Sequence, residues 1–476
     1  MVSINKILKD KNFLNKLSLV VFFSISWLSI SSSFQNLLIF HVNEKITIIQ
    51  LINFFRTVLN ILIFPILLFQ LAKVLIKKNI LNSGPNLILF SSLIYFLCQG
   101  IGLFNTSNSI ENLIYVLSAI NLIIIMRLSV EFFKPNELII LIYITFFILF
   151  IVLLNTFLKD VINFIFNSVV GKKFYGSVNS IVGENFIRSS GASRISLILL
   201  IIYLTNLIKY INSSILKIIP LFVFSTIIFL YESRAGVGLL IIYIVATLFL
   251  LKEFNFERVS RELIFCIILP FLVSVNINYI HSPTSIALKK DIIEETKKNT
   301  LIIKDIIEET KKNTLIKDAK GKKVLIFLCN IYKCQDNSSR FMNKEKILTS
   351  SGRIEDWKTL VNKFDYQNKL FFGYGSQADR HLINQSASNG LIYSLVSSGL
   401  VGLSFFLYIT VTACLYIIRF LLVNKNKNSI YSFAIFTLII ILIRSLIESS
   451  YAVFSVDFIL FYMSLFLAQK YNKVLR

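Results

Sequence analysis

Histidine is nearly absent: His41, His281 and His381 are the only three in 476 residues, and they lie far apart. There is no His-Glu-x-x-His, no Cys/His cluster and no Asp-x-Asp pair, so the usual ligand sets for zinc or a nucleotide-bound divalent ion are missing. The segment "GYGSQA" is not a Gly-x-Gly-x-x-Gly turn, and no phosphate loop ends in Gly-Lys-Ser/Thr. This argues against an ATP-driven machine and against a metal-dependent sugar-nucleotide transferase. No metal and no cofactor is expected.

Cysteine is scarce too. Five residues are too few for a disulfide scaffold. Cys98, Cys266 and Cys414 lie in apolar runs and read as packing residues. Cys329 and Cys334 share a long polar segment, where a local disulfide and two free thiols are both open readings.

Acidic residues are outnumbered, 26 against 49 basic ones, for a net charge of +23. A nucleic-acid partner does not follow, because the basic residues form short clusters between apolar runs. Examples are "KVLIKK" at 73–78, "KEFNFERVSR" at 252–261, "RFLLVNKNK" at 419–427 and the terminal "KYNKVLR". That is the positive-inside pattern of membrane proteins.

What the chain has in abundance is apolar residues, 55% of the total. A soluble protein of this size needs more polar surface. The uncharged run from Leu138 to Leu158 gives a helix of about 31 Å, long enough for a bilayer. Leu263 to Ile280 and Leu391 to Ile418 behave alike. In lipid such runs must be helical to satisfy their own backbone groups, and no strand-like alternation is present.

The expected fold is therefore all-α, a polytopic transmembrane bundle of about twelve spans. They fall near 14–33, 50–72, 86–104, 110–128, 138–158, 195–210, 215–231, 236–251, 263–280, 399–418, 429–447 and 452–469. The basic start and the lack of a small-residue cleavage site predict an uncleaved first helix and cytoplasmic termini. Three parts result: N-terminal helices over 1–280, a large periplasmic loop over 281–390, and C-terminal helices over 391–476. A shorter external segment covers about 159–194. Within the large loop "KDIIEETKKNTLI" occurs twice, at 290–302 and 304–316. Duplication without catalytic meaning is the first reading and a helix on the membrane surface the second.

The remaining chemistry lies at span ends predicted to share the external side. Arg188 and Arg194 flank "RSSGASR", Arg234 sits in "YESRAG", and Arg353 opens "RIEDW". Asp379, Arg380 and His381 precede the tenth span, Arg444 and Glu448 are spaced to pair on one helix face, and Asp457 follows. Several guanidinium groups facing one space would bind a diphosphate, two oxygens at a time. Each residue also has a plain role: Arg234 as an interfacial anchor, Arg444 with Glu448 as a structural pair, and Asp457 as a bond to a neighbouring helix. Gly373 and Gly375 read as turn formers, and Gly399 with Gly402 as one small-residue helix face.

"RSSGASR", "YESRAG", "SGRIEDW", "FFGYGSQADR", Ser388-Asn389 followed nine residues on by Gly399-x-x-Gly402, and "SLIESSYAVFSVDF" occur in this order. Over about 185–460 the chain resembles the O-antigen polymerase and O-antigen ligase superfamily. The resemblance implies a C-type glycosyltransferase-like membrane fold in the bacterial inner membrane. It implies metal-independent inverting transfer on the periplasmic face, with a glycan on undecaprenyl diphosphate as donor. By the same resemblance, Arg188, Arg194, Arg234, Arg353 and Arg380 contact diphosphate or glycan, and Asp379 orients Arg380 or the acceptor. His381 is the candidate base, and Asn389 bonds substrate or caps the next helix. A flippase and a chain-length regulator are the implied protein partners. Ser388 stands where the ligase branch carries histidine, which favours a polymerase over a ligase acting on lipid A core or protein. A lipid-linked oligosaccharide flippase or other transporter is the alternative from another class.

Overall fold

A computed structural model describes residues 13–31, 48–77, 84–103, 109–166, 189–211, 213–231, 233–250, 264–280, 353–383, 386–423 and 429–474. Among the described residues there is no strand. The helices are α1 Phe13–Ser31, α2 Ile48–Lys77, α3 Gly84–Gly102, α4 Ser109–Phe132, α5 Ile139–Phe166, α6 Ser189–Ile202, α7 Ser214–Leu230, α8 Arg234–Leu250, α9 Leu269–Ile280, α10 Arg353–Lys363, α11 Ala378–Ile383, α12 Gly390–Val423, α13 Ser429–Ser445 and α14 Val456–Val474. Arg188, the 290–316 repeat, Cys329 and Cys334 lie outside the described residues.

Each of the twelve apolar runs coincides with helix, but fewer than twelve helices qualify as spans. Among the described residues, three are long and apolar enough to cross a membrane: Leu113–Phe132, Pro135–Leu158 and Gly390–Leu422. Helices α7 and α8 have 17 residues each, about 26 Å, short of a hydrocarbon core. Helix α14 has the length but carries Asp457, Lys470 and Lys473.

Helix α4 is the centre of the bundle. Its apolar window is 83% buried, against 33% for α5 and 22% for α12. It packs against α1, α2, α3 and α14. A largely apolar helix is stable when helices or lipid enclose it, and α4 is packed among helices. One end of the bundle is tied by polar bonds at the α4–α5 turn. Lys16 pairs with Glu137 at 3.0 Å, Lys470 donates to the Val130 carbonyl at 2.7 Å, and Tyr471 donates to the Pro135 carbonyl at 2.8 Å. The first turns of α6, α8, α12 and α14 and the end of α13 gather at the opposite end.

Helix α12 departs from expectation. Gly399 adopts φ 65°, ψ −168°, a backbone region that only glycine occupies readily. Gly399 and Gly402 therefore do not share one smooth helix face. Gly402 does lie against α3, with its Cβ position 3.3 Å from Cys98 Cβ, whereas Gly399 breaks the helix. A straight helix would place Gly390 and Phe406 about 24 Å apart. Instead the Cβ position of Gly390 is 3.6 Å from the tip of the Phe406 ring. The first half, 390–398, thus doubles back beside the long half, 400–423. Backbone groups freed by the break are taken up by residues 370–375. Tyr374 and Gly375 N–H groups donate to the Val396 and Ser397 carbonyls, both at 2.9 Å. Leu400 and Val401 N–H groups donate to the Leu370 and Phe371 carbonyls at 2.8 and 3.3 Å. Every one of these bonds meets a group that would otherwise be orphaned in a low-dielectric setting. Gly373 and Gly375, at φ 64° and 89°, shape the paired segment as turn residues.

Candidate functional site

Asp457 is the hub of the charged end. It lies in the first turn of α14, and its Oδ1 is 3.2 Å from Arg194 Nη1 on α6. Its Oδ2 is 3.0 Å from Arg444 Nε near the end of α13. Side-chain exposure is 1% for Asp457, 5% for Arg444 and 17% for Arg194. Burial of this kind is sustained only because the charges compensate one another. The geometry is that of close ion pairs and not of well-aligned hydrogen bonds: Arg444 Nε and Asp457 Oδ1 have no aligned hydrogen-bond partner.

The chain leading into Asp457 is built to hold it. Ser450 sits at φ 35°, a conformation that costs on the order of 1–3 kcal/mol. Its hydroxyl donates to Asp457 Oδ2 at 3.1 Å, which offsets part of that strain. Next to it Tyr451 shares a 2.7 Å hydrogen bond with Thr410 and stacks on Phe406 and Phe461. Tyr95 donates to the Ala452 carbonyl at 3.0 Å. The α13–α14 connection is thereby locked against α3 and α12.

A second pair lies at the more open edge. Arg353 Nη2, at the start of α10, is 3.3 Å from Glu448 Oε1, with side-chain exposures of 33% and 22%. Sequence spacing suggested that Glu448 pairs with Arg444. The structure assigns each a different ion-pair partner, because α13 ends at Ser445 and Glu448 falls in the turn beyond it. Helix α10 is held over this edge by the Trp357 indole N–H, which donates to the Ala387 carbonyl at 2.6 Å, and by Lys363, which donates to the Leu382 carbonyl.

The predicted rim residues divide. Asp379 is buried, and it meets Arg380 through that residue's backbone N–H. Its two carboxylate oxygens accept backbone N–H bonds from Arg380 at 2.9 Å and Ala387 at 2.7 Å, so it pins the loop between α11 and α12. Burial, the largest influence, raises its pKa above the ordinary carboxylate value; the backbone bonds act in the opposite direction. Arg380 and His381 are exposed on α11. Asn389 caps α12: its Oδ1 accepts from Leu391 and Ile392 N–H at 2.9 and 3.1 Å, and its Nδ2 donates to the Leu446 carbonyl. Ser388, at φ 49°, bonds locally to Ser386.

Arg234 opens α8. The Cβ position at Gly236, two residues on, is 2.8 Å from Ser193 Cβ, so the first turn of α8 is seated on the first turn of α6 beside Arg194. Sequence reasoning named Asp457 but missed its role as hub, and missed Ser450 and Trp357 altogether. A lone acid in the first turn of an apolar helix was the available signal. Of the three cysteines read as packing residues, Cys98 and Cys266 are buried, while Cys414 is exposed on the outer side of α12. Among the described residues no three His, Cys, Asp or Glu side chains gather into a metal-sized group. The chain matches no protein-family model and no curated protein sequence.

Proposed function

We propose that this protein is a membrane glycosyltransferase that polymerises oligosaccharide repeats carried on undecaprenyl diphosphate, acting at the periplasmic face of the bacterial inner membrane. The observation that carries the reading is the convergence, among the described residues, of Arg194, Arg353 and Arg444 at one bundle end, ion-paired there with Asp457 and Glu448. Among these five side chains one positive charge is in excess. A diphosphate leaving group needs such an excess.

In this reading an acceptor hydroxyl attacks the anomeric carbon as the bond to the diphosphate oxygen breaks. The glycosidic bond forms with inversion, and negative charge collects on the departing diphosphate. Arg353 meets that charge first, because its bond to Glu448 is single, partly exposed and exchangeable. Arg194 and Arg444, enclosed around Asp457, supply a fixed positive field behind it. Of the two acids, Glu448 is open enough to receive the acceptor proton. Asp379, committed to backbone N–H groups, is not.

One observation bears on a transport reading: the broken helix α12, a feature shared with secondary transporters. At this break, however, the freed backbone groups bond to residues 370–375 and not to a passing solute. Deletion of the gene, followed by electrophoresis of the surface glycan, separates the readings. Single-repeat glycan supports the polymerase. Long lipid-linked chains support a ligase. Repeats retained on the inner leaflet support a flippase. Arg353→Ala and Arg234→Ala are expected to give short chains; normal chain length in both would refute the arginine assignment.

A further inference from the structure

The outer side of the long half of α12 carries a stripe of exposed apolar residues: Leu400, Leu407, Val411, Leu415, Ile418 and Leu422. Their spacing of three, four and seven keeps them on one helix face. From Leu400 to Leu422 the stripe is about 33 Å long, close to the thickness of a hydrocarbon core. Its upper limit is therefore Leu400, the first residue after the break.

Phe371 and Phe372 lie at that limit. Their backbone crosses directly over Gly399, where any side chain would collide with the Phe371 carbonyl, and the Phe371 carbonyl receives the Val401 N–H. Despite this central position in the backbone pairing, the two rings are 62% and 42% exposed. The rest of the turn changes character within a few residues. Tyr366 is exposed, and Lys369 places its ammonium 5.7 Å from the Tyr374 ring centre. Asp365 closes the turn by accepting the Gln367 and Asn368 N–H groups and the Asn368 side-chain amide. These bonds hold the Asp365 carboxyl below the ordinary carboxylate value, with the Asn368 side chain as the largest cause. The turn is thus rigid, apolar beside the stripe, and polar one step away from it.

We propose that the 364–375 turn is a membrane-interface anchor whose partner is the lipid bilayer itself. Phe371 and Phe372 enter the boundary between head groups and acyl chains at the top of the α12 stripe. Tyr366 and Lys369 stay among the head groups, where amphipathic side chains settle. The turn is bonded to the break in α12, so it sets the depth at which the reversed half, 390–398, and the Asn389 cap are held. This inference does not depend on the reaction catalysed.

The test uses the full chain in vesicles of phosphatidylcholine and phosphatidylglycerol, with Phe371→Trp and Phe372→Trp as separate reporters. Emission from the native Trp27 and Trp357 is subtracted using the unsubstituted protein. Brominated lipids then quench tryptophan at the bromine depth. The expected result is loss of the added emission with bromine placed near the head-group end of the acyl chain. A smaller loss is expected with bromine near the methyl end, and little loss with aqueous iodide. Strong iodide quenching with no bromolipid effect would overturn the proposal by placing the turn in water. Stronger quenching from the methyl end would overturn it by placing the rings in the membrane core. Either reporter alone suffices should the other variant fail to fold.

Discussion

Replacing Asp457 by asparagine keeps the shape of the hub and removes its charge. Arg194 and Arg444 would then face each other with no carboxylate between them, at side-chain exposures of 17% and 5%. Removing one partner of a buried ion pair costs about 3–5 kcal/mol, because the other charge stays buried and unpaired. Neither arginine is exposed enough for water to relieve much of that cost. With 476 residues, a melting entropy of about 2.1 cal/mol/K per residue sums to about 1 kcal/mol/K. The melting temperature of Asp457→Asn should accordingly fall by about 3–5 °C. The assay is tryptophan emission against temperature in lipid nanodiscs. A control replaces Arg194 and Arg444 by methionine and Asp457 by leucine together. It removes all three charges and should recover most of the loss, since an apolar substitute for a buried ionic cluster is often neutral. If Asp457→Asn melts with the parent protein, Asp457 does not compensate the two arginines. If the triple variant melts lower than the single one, the cluster is held by packing and not by charge.

Arg353→Met should change stability by no more than about 1 kcal/mol, because its pair with Glu448 is partly exposed. Chain length of the glycan should still collapse; a large melting shift without loss of polymer would reverse the assignment of Arg353 to substrate. Gly399→Ala should abolish accumulation of folded protein in the membrane, since the backbone strain of about 1–3 kcal/mol adds to a collision with Phe371. Wild-type levels by size-exclusion chromatography would contradict the break. Asp379 binds its proton more tightly folded than unfolded, so its contribution lowers stability as pH rises from the unfolded carboxylate value through the raised folded one. Melting curves across the acid range should show this decline in the parent protein and a flatter course in Asp379→Asn, whereas a parent that gains stability over that window relative to the variant would refute the raised value.

The helical class, the places where apolar helices lie and the capping role of Asn389 were all legible from local chemistry. An uncharged run of sufficient length has no option in lipid but to close its hydrogen bonds within itself, and an asparagine before a helix offers its oxygen to the first free N–H groups. The arginines stood out for a similar reason, because charge beside a long apolar run needs a partner wherever it ends up. Which partner each takes was not legible. Arg194 and Asp457 are 263 positions apart in the chain and meet only because α6, α13 and α14 pack together at one end. Arg353 reaches Glu448 because α13 stops at Ser445, and helical spacing alone pointed to Arg444. Asp379 looked like a group for substrate and became a bond to the backbone once the loop closed over it. Gly399 has the same composition signal as any small residue in a span. Only the path of residues 370–375 across it, with four backbone hydrogen bonds, turns that glycine into a reversal of the helix. Local periodicity constrains which residues share a face; the pairing of distant charges and the orientation of a carboxylate depend on contacts between segments that no local pattern encodes.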